Sequence, residues 1–201
     1  MSWIKVIGVP ESTGKLKKLY HRVSGPDSNV DNIMMAHSLR PHTMEGHMAL
    51  YKNVLHHTAN TLEKHWLEAI GVYVSILNQC HYCIEHHFQG YMRLIQNDVK
   101  ANEVRECMEN ETLSKVFSDH ELILFQYVKM LTLMPAQVNQ GLVTELKNAG
   151  YDDGQILEIN QVAAYFNYAN RTVLGLGVSL EGDIVGLSPN NSSEPDNWQH
   201  Q

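Results

Sequence analysis

Four chemically active side chains occupy a short stretch of this chain at spacings that one straight helix cannot accommodate. The stretch contains a carboxylate, Glu68, then two cysteines at CxxC spacing, Cys80 and Cys83, and then His87. Along an unbroken α-helix, Glu68 would lie about 18 Å from Cys80, because each residue advances the helix by roughly 1.5 Å. Asn78-Gln79 favours a break just before the cysteines. A reversal of the chain there would bring carboxylate and imidazole level, so the spacing predicts an antiparallel helical hairpin.

The two cysteines and the histidine share one face of the helix that starts at the CxxC. Positions i and i+3 of a helix lie about 5–6 Å apart, a separation that a disulfide tolerates between Cα atoms. His87 is one turn beyond Cys83 and can take its proton directly or through a water. Glu68 can fix the imidazole tautomer. A peroxide would convert Cys83 to a sulfenic acid, Cys80 would condense with it to a disulfide, and an outside reductant would reopen the disulfide by exchange.

The spacing Glu-x11-Cys-x2-Cys-x3-His resembles the signature of the AhpD-like alkylhydroperoxidases in the carboxymuconolactone decarboxylase superfamily. Residues 29–59 and 117–181 resemble the N- and C-terminal helices of its longer subgroup, the peroxidase-related enzymes. The resemblance covers roughly residues 10 to 183. Some members carry a second histidine just before the second cysteine, where this chain has Tyr82.

This resemblance implies an all-α fold with the CxxC at the N-terminus of a central helix. It implies a peroxidase that reduces hydrogen peroxide or organic hydroperoxides, needs no cofactor beyond an external thiol or dithiol reductant, and forms a homotrimer or homohexamer. It assigns Glu68 and His87 to the proton relay, Cys83 to the reaction with peroxide and Cys80 to its partner thiol.

The chain is expected to form one helical domain over residues 1–187, followed by a polar, mobile tail at 188–201. The expected parts of the domain are N-terminal helices at 10–59, the redox core at 60–97 and C-terminal helices at 100–180.

Several local signals fix where single elements begin. Pro41 suits the first turn of a helix, where its missing N–H is harmless. Ser118 and Glu121 have capping-box spacing, and Thr61 is expected to cap the helix that carries Glu68. The only candidate strand is a short one at Trp3–Val9.

Composition narrows the classes of function. The formal net charge of −7 makes nucleic acid an unexpected partner. No apolar run reaches the length of a membrane span, and the N-terminus shows no secretory signal. Three cysteines, two of them in the CxxC, suit a reducing compartment, so a cytoplasmic protein is expected.

Five further residues are candidates for supporting roles. Tyr82 is expected to pack, although its hydroxyl could face the cleft, and His86 is expected to line a neighbouring surface or interface. Asn167 and Arg171 form a polar spot on an apolar helix, with Asn170 beside them. This cluster fits either a buried network between helices or subunits or a role near the active cleft.

Other readings of the CxxC remain open at this level. A structural zinc would need four ligands, which His81, His86 or Cys107 could complete only by chance geometry. A thioredoxin would need a βαβ context, which a helical chain lacks. A carboxymuconolactone-type decarboxylase needs no cysteine pair, and a disulfide-exchange or redox-sensing protein would need no peroxide.

Overall fold

A computed structural model describes residues 2–194 and 197–200 of the chain. Within these residues it contains nine α-helices and no strand. The helices are α1 (Gly14–Val23), α2 (Asn32–Ala36), α3 (Pro41–Leu55), α4 (Lys64–Leu77), α5 (His81–Ile95), α6 (Asp98–Glu109), α7 (Asp119–Leu133), α8 (Gln140–Asn148) and α9 (Asp153–Leu176). The predicted all-α class is confirmed.

Helices α4 and α5 form an antiparallel hairpin whose turn lies directly before the CxxC. Helix α4 ends at Leu77 with Asn78 as its C-cap. Gln79 then takes a left-handed conformation with φ of 56°, and the N–H of Cys80 donates to the carbonyl of Ser75 at 2.8 Å. Cys80 is the N-cap of α5. One residue at positive φ therefore reverses the chain, and the cysteines enter the first turn of the new helix.

Helix α4 lies at the centre of the fold, between α5 and the long helix α9. A Cβ atom at Gly71 of α4 would lie 2.3 Å from the ring of Phe166 on α9. The missing side chain thus lets the two helices approach closely. Helix α9 starts with a capping box between Asp152 and Gln155, and α7 starts with the predicted box between Ser118 and Glu121.

Two local predictions are wrong. Helix α4 begins at Lys64 after Glu63, and Thr61 instead donates from its N–H to the carboxylate of Glu158 at 2.8 Å. Thr61 is thus hydrogen-bonded to a side chain of α9 and does not cap α4. Residues 3–9 form no strand, because their N–H groups donate to separate acceptors. The N–H of Trp3 donates to the carbonyl of Leu176, and that of Ile7 donates to Oγ of Ser38.

The C-terminal segment lies against the helices instead of extending from them. Trp198 is 5% exposed and packs under the guanidinium of Arg22, whose carbon lies 3.8 Å from the ring centroid. The Nζ of Lys52 donates to the carbonyl of Asn190, and Ser192 donates from its N–H to the carbonyl of His56.

These contacts differ from the expected mobile tail at 188–201, for which polar composition was the only guide. Pro195, Asp196 and Gln201, also part of that expectation, lie outside the described residues. Among the described helices, none is both long and apolar enough to span a membrane.

Candidate active site

The hairpin brings Glu68 of α4 level with His87 of α5. The Oε2 atom of Glu68 lies 2.8 Å from Nδ1 of His87, and the two side chains are 7% and 14% exposed. The ring of His87 also meets the ring of Phe166 edge to face, with centroids 4.4 Å apart. A buried carboxylate that accepts the Nδ1 proton holds the neutral ring as the tautomer with a free Nε2, which can act as a base.

Gly90 on α5 leaves the space that the Glu68 carboxylate occupies. A Cβ atom at position 90 would lie 3.0 Å from both the carboxyl carbon and Oε1 of Glu68. Contacts this short are tighter than most real Cβ contacts, so the carboxylate that pairs with His87 would have to shift by a few tenths of an ångström.

We therefore expect Gly90→Ala to weaken the carboxylate–imidazole pair while it favours the helix itself, since alanine is the better helix former. The variant should fold with unchanged or higher thermal stability and lose roughly three- to thirtyfold in thiol reactivity, a fraction of a general-base effect. Thermal melts together with alkylation or peroxide kinetics measure both. Gly46 on α3, where a Cβ atom would meet open space, provides the matched control as Gly46→Ala. A Gly90→Ala protein with wild-type reactivity would show that the pair is not needed in its present geometry.

The two sulfur atoms of the CxxC lie 3.1 Å apart, and both thiols are free in the structure. Cys80 is fully buried, while Cys83 is 3% exposed and lies on the wall of a cavity. The hydrogen bond between the two sulfurs lowers the pKa of Cys80, although burial opposes the shift. The same hydrogen bond, together with burial, raises the pKa of Cys83 well above its ordinary value. The reduced pair thus favours a thiolate at Cys80 and a proton on Cys83.

Among the described residues, no hydrogen bond joins His87 to either sulfur, although His87 and Cys83 line the same cavity. A proton that leaves Cys83 for His87 must therefore pass through a water or follow a small movement of the ring.

The Asn167, Asn170 and Arg171 cluster ties the turn of the hairpin to α9. Asn170 is fully buried; it donates to Oγ of Ser75 at 3.1 Å and accepts from the amide of Asn78 at 3.0 Å. A hydrogen bond from Asn170 also lowers the pKa of Cys83, although the raising effects dominate. Asn167 accepts from Arg171 at 2.6 Å as well as from Asn78 at 3.1 Å. The cluster thus holds the turn and contacts the redox pair within one chain.

The cavity in front of Cys83 is small and enclosed by three parts of the chain. It leaves about 40 Å³ for the centres of water-sized molecules, against roughly 10–15 Å³ for a single water. One wall comes from α4 and α5, and another from aromatic residues that include Tyr51 and Tyr165. Leu187 and Ser188 line it from the C-terminal segment. Small ligands fit this space, and bulky ones would have to displace that segment.

Tyr82 and His86 also line this cavity. The hydroxyl of Tyr82 donates to Oδ2 of Asp183 at 2.5 Å, and Nε2 of His86 lies 3.4 Å from the same atom. His86 is 8% exposed, so the expectation that it lines a neighbouring surface or interface is wrong. Its helix packs under the loop of Asp183, which turns this face of α5 into a second cavity wall.

Solved structures with the same arrangement of helices place this fold among known ones. A peroxidase-related protein from Ralstonia eutropha, described as an alkylhydroperoxidase AhpD core, is 18% identical, with 89% of this chain and 91% of that chain covered at a TM-score of 0.76. A peroxidase-related protein from a Silicibacter species is 21% identical, with coverages of 75% and 76% and a TM-score of 0.65. The chain has the AhpD-like fold.

Other activities occur on the AhpD-like fold. The debrominase Bmp8, solved in complex with 2,3,4-tribromopyrrole, is 15% identical and covers 90% of this chain and 95% of its own at a TM-score of 0.67. No family model matches the sequence, and no match was found among curated proteins. The likeness therefore defines the fold, and the reaction has to be argued from the site.

Within the AhpD-like fold, the sequence analysis missed two residues that line the cavity, Asp31 and His200, and also Asp183, which contacts two lining residues on α5. They come from the start of α2, from the loop after α9 and from the C-terminal segment. No motif spacing connects them, so sequence alone offered no signal. Cys107, by contrast, lies buried on α6, outside the cavity lining, and in the described part of the chain no group of three or more His, Cys, Asp or Glu side chains is placed to hold a metal ion.

The separation of Cys107 from the pair leads to a prediction. Under mild oxidation, we expect a disulfide between Cys80 and Cys83 with Cys107 still free, because the two sulfurs are already 3.1 Å apart. Mass spectrometry of the oxidised, alkylated and digested protein measures the pairing. A disulfide that includes Cys107 would contradict this assignment.

Proposed function

We propose that this protein is a thiol-dependent peroxidase that reduces hydrogen peroxide or small organic hydroperoxides through the Cys80–Cys83 pair. One observation carries the proposal: the sulfur of Cys83 lies on a cavity wall beside the Glu68–His87 pair, with a second thiol 3.1 Å behind it. A nucleophile, a base with its orienting acid and a resolving thiol thus converge on one enclosed space.

The reaction starts with removal of the Cys83 proton by His87. The Cys83 thiolate attacks the terminal oxygen of the hydroperoxide, the O–O bond breaks, and Cys83 becomes a sulfenic acid. The expelled alkoxide or hydroxide takes a proton that comes ultimately from solvent and leaves as an alcohol or water. Cys80 then attacks the Cys83 sulfur, a disulfide forms, and the departing hydroxide takes the proton held by His87. An external dithiol restores the pair by exchange.

The pKa shifts of the two cysteines suit this division of roles. The lowered pKa of Cys80 favours its thiolate, the form that attacks a sulfenic acid. Cys83 needs help to lose its proton, because its own pKa is raised. The Glu68–His87 pair supplies that help.

The size of the cavity sets the expected substrates. Room for a few water-sized groups fits hydrogen peroxide and short alkyl hydroperoxides. The reductant is expected to be a thiol or dithiol that reaches the disulfide from the Cys83 side, because Cys80 is fully buried. No further cofactor is required by this chemistry.

Assembly and location enter the proposal as well. Leu157 and Tyr168 lie eleven positions apart on α9, which places them on one stripe of the helix, and they are 60% and 41% exposed. An exposed apolar stripe of this kind suits the homotrimer or homohexamer that the family resemblance implies. A cytoplasmic location would keep the thiols reduced.

A hydroperoxide-consumption assay tests the proposal. Reduced protein with ethyl hydroperoxide and dithiothreitol should turn over many times, and Cys107→Ser should match the wild type, since Cys107 lies outside the cavity lining. Dithiol oxidation by exchange without peroxide consumption would favour a disulfide-exchange protein. Turnover of a carboxymuconolactone with no effect of cysteine alkylation would favour the decarboxylase.

A further inference from the structure

Asp31 lines the cavity in front of Cys83, and a second buried carboxyl group, that of Asp183, lies close enough to act on it electrostatically. The surroundings of the two groups differ. The side chain of Asp183 accepts hydrogen bonds from the backbone N–H of Asn32 at 3.0 Å and from the hydroxyl of Tyr82 at 2.5 Å. Nε2 of His86 lies 3.4 Å from it. Asp183 is therefore well supplied with hydrogen-bond donors.

The side chain of Asp31 has fewer and longer polar contacts. The amide of Asn29 lies 3.5 Å from its carboxyl group, and Nε2 of His200 lies 3.8 Å away. Burial lowers the pKa of His200 to about 4, so that imidazole is neutral at pH 7 and brings no positive charge. Asp31 is 8% exposed and lines the cavity.

Two buried carboxyl groups that share a site do not both ionise at ordinary pH, and the one with fewer donors keeps the proton. The charged or titratable groups that face Asp31 are His86 and Tyr82 on α5, Tyr51 on α3, Asp183 in the loop after α9, and His200. Burial raises the pKa of Asp31 to about 7, with His86 opposing the shift and Asp183 adding to it. The asymmetry in donors and the shift agree that Asp31 carries a proton near neutral pH.

We propose that Asp31 is the general acid of the reaction, the group that protonates the oxygen leaving from Cys83. This inference rests on the proposed peroxidase function. Such an acid has to reach the leaving oxygen, which points away from the attacking sulfur in an in-line displacement. Asp31 lines the same small cavity as Cys83 and comes from a different element than the Glu68–His87 pair.

The proposed step balances as follows. The Cys83 thiolate forms an S–O bond to the terminal oxygen of R–O–OH, the O–O bond breaks, and RO⁻ takes the proton of the Asp31 carboxyl to give ROH and an Asp31 carboxylate. Cys80 then forms the disulfide, and the hydroxide it expels takes the proton from His87. One proton from solvent restores Asp31. No oxidant is needed besides the hydroperoxide, and no reductant besides the external dithiol.

The other protic groups near the sulfur are poorer acids. Burial raises the pKa of Tyr51 and of Tyr165 well above the usual value. Burial lowers the pKa of His47 to about 3, so this ring carries no extra proton at neutral pH. Asp31 is therefore better matched to proton donation near pH 7 than these three side chains.

Two peroxides of similar size but different leaving groups test the assignment. Ethyl hydroperoxide expels ethoxide, which needs an acid, whereas peracetic acid expels acetate, which does not. The ionisation of Cys83 affects both single-turnover rates equally, so its effect cancels in their ratio. The ionisation of the peracid itself is corrected for separately. In the wild type this ratio should fall as pH rises through about 7, because the ionised Asp31 no longer donates.

Asp31→Asn should lower the ethyl hydroperoxide rate by about ten- to a hundredfold, within the usual range for a general acid, and change the peracetic acid rate less than about threefold. Its rate ratio should not depend on pH. The matched control is Asp27→Asn, which replaces an exposed carboxylate in the turn before α2. This variant should behave as the wild type.

A variant that slows both peroxides equally, or neither, would overturn the assignment while the peroxidase function stands. If Asp31→Asn does not fold, a rate ratio of the wild type that stays flat from about pH 6 to about pH 8 would overturn it equally well. A wild-type protein that consumes neither peroxide would overturn the proposed function and this assignment with it.

Discussion

Cys83→Ser is expected to abolish hydroperoxide consumption. Cys83 is the sulfur that lines the cavity, whereas Cys80 is fully buried behind it. A serine hydroxyl does not replace the thiolate as a nucleophile at neutral pH. Peroxide consumption in the presence of dithiothreitol measures the loss, which should reach the background rate of the reductant alone, and Cys107→Ser is the control.

Cys80→Ser should have a different outcome, because it removes the resolving thiol and leaves the attacking one. We expect one turnover and then a stalled sulfenic acid on Cys83, which a dimedone-type probe labels and mass spectrometry locates. The reverse assignment, with Cys80 as the attacking thiol, has support of its own, because Cys80 is the thiol with the lowered pKa. A probe that labels Cys80 in the Cys83→Ser protein would reverse the roles of the two cysteines.

Glu68→Gln is expected to lower peroxide turnover by roughly ten- to a thousandfold, in line with general-base losses. The carboxylate accepts from Nδ1 of His87 at 2.8 Å, and removal of its charge weakens the hold on the productive tautomer. The effect should be smaller than in a serine protease, where the same change costs about four decades, since sulfur is intrinsically a far stronger nucleophile than a serine hydroxyl. Steady-state kinetics and the pH dependence of turnover measure the change.

Glu85→Gln offers a matched control on the same hairpin. Glu85 pairs with Arg105 at 2.6 Å and does not line the cavity, so its replacement should leave turnover near the wild-type value. Glu68→Gln should still fold, because the amide keeps the shape and can accept one hydrogen bond from the imidazole. A folded and fully active Glu68→Gln protein would contradict this prediction and show that the CxxC works without the Glu68–His87 pair.

The hairpin and the redox core were predictable because their residues are close in sequence. Glu68, Cys80, Cys83 and His87 span only twenty positions, so helix geometry fixes their relative places once the turn at Asn78 is recognised. The all-α class followed from the helical periodicity of the chain and from the family resemblance, and the structure confirms both the class and the AhpD-like fold.

The contacts that the Asp183 loop and the C-terminal segment make around the cavity were not predictable in this way. Asn32 and Asp183, which share a hydrogen bond, are 151 positions apart, and His200 reaches Asp31 from the C-terminal segment. Spacing rules describe neighbours on one element, and these residues meet only through the packing of three elements. The same limit explains why His86 was placed at an outer surface and why the polar segment after residue 187 was expected to be mobile.

The role of the Asn167, Asn170 and Arg171 cluster was predictable only in part. Sequence showed that polar residues interrupt an apolar helix, which indicates a buried network or a functional site. It could not show that the network ends at Ser75 and Asn78, which hold the turn of the hairpin. That knowledge requires the packing of α9 against α4.

A single-turnover experiment tests the central claim most directly. Fully reduced wild-type protein is mixed with one equivalent of ethyl hydroperoxide, quenched with acid over time, and analysed by mass spectrometry for the disulfide and by chromatography for ethanol. We expect the Cys80–Cys83 disulfide and ethanol to form one to one, at least about a hundredfold faster than in the chain unfolded by guanidinium, the lower end of general acid–base effects. Disulfide formation no faster in the folded protein than in the unfolded chain, or disulfide without ethanol, would contradict a peroxidase built on this site.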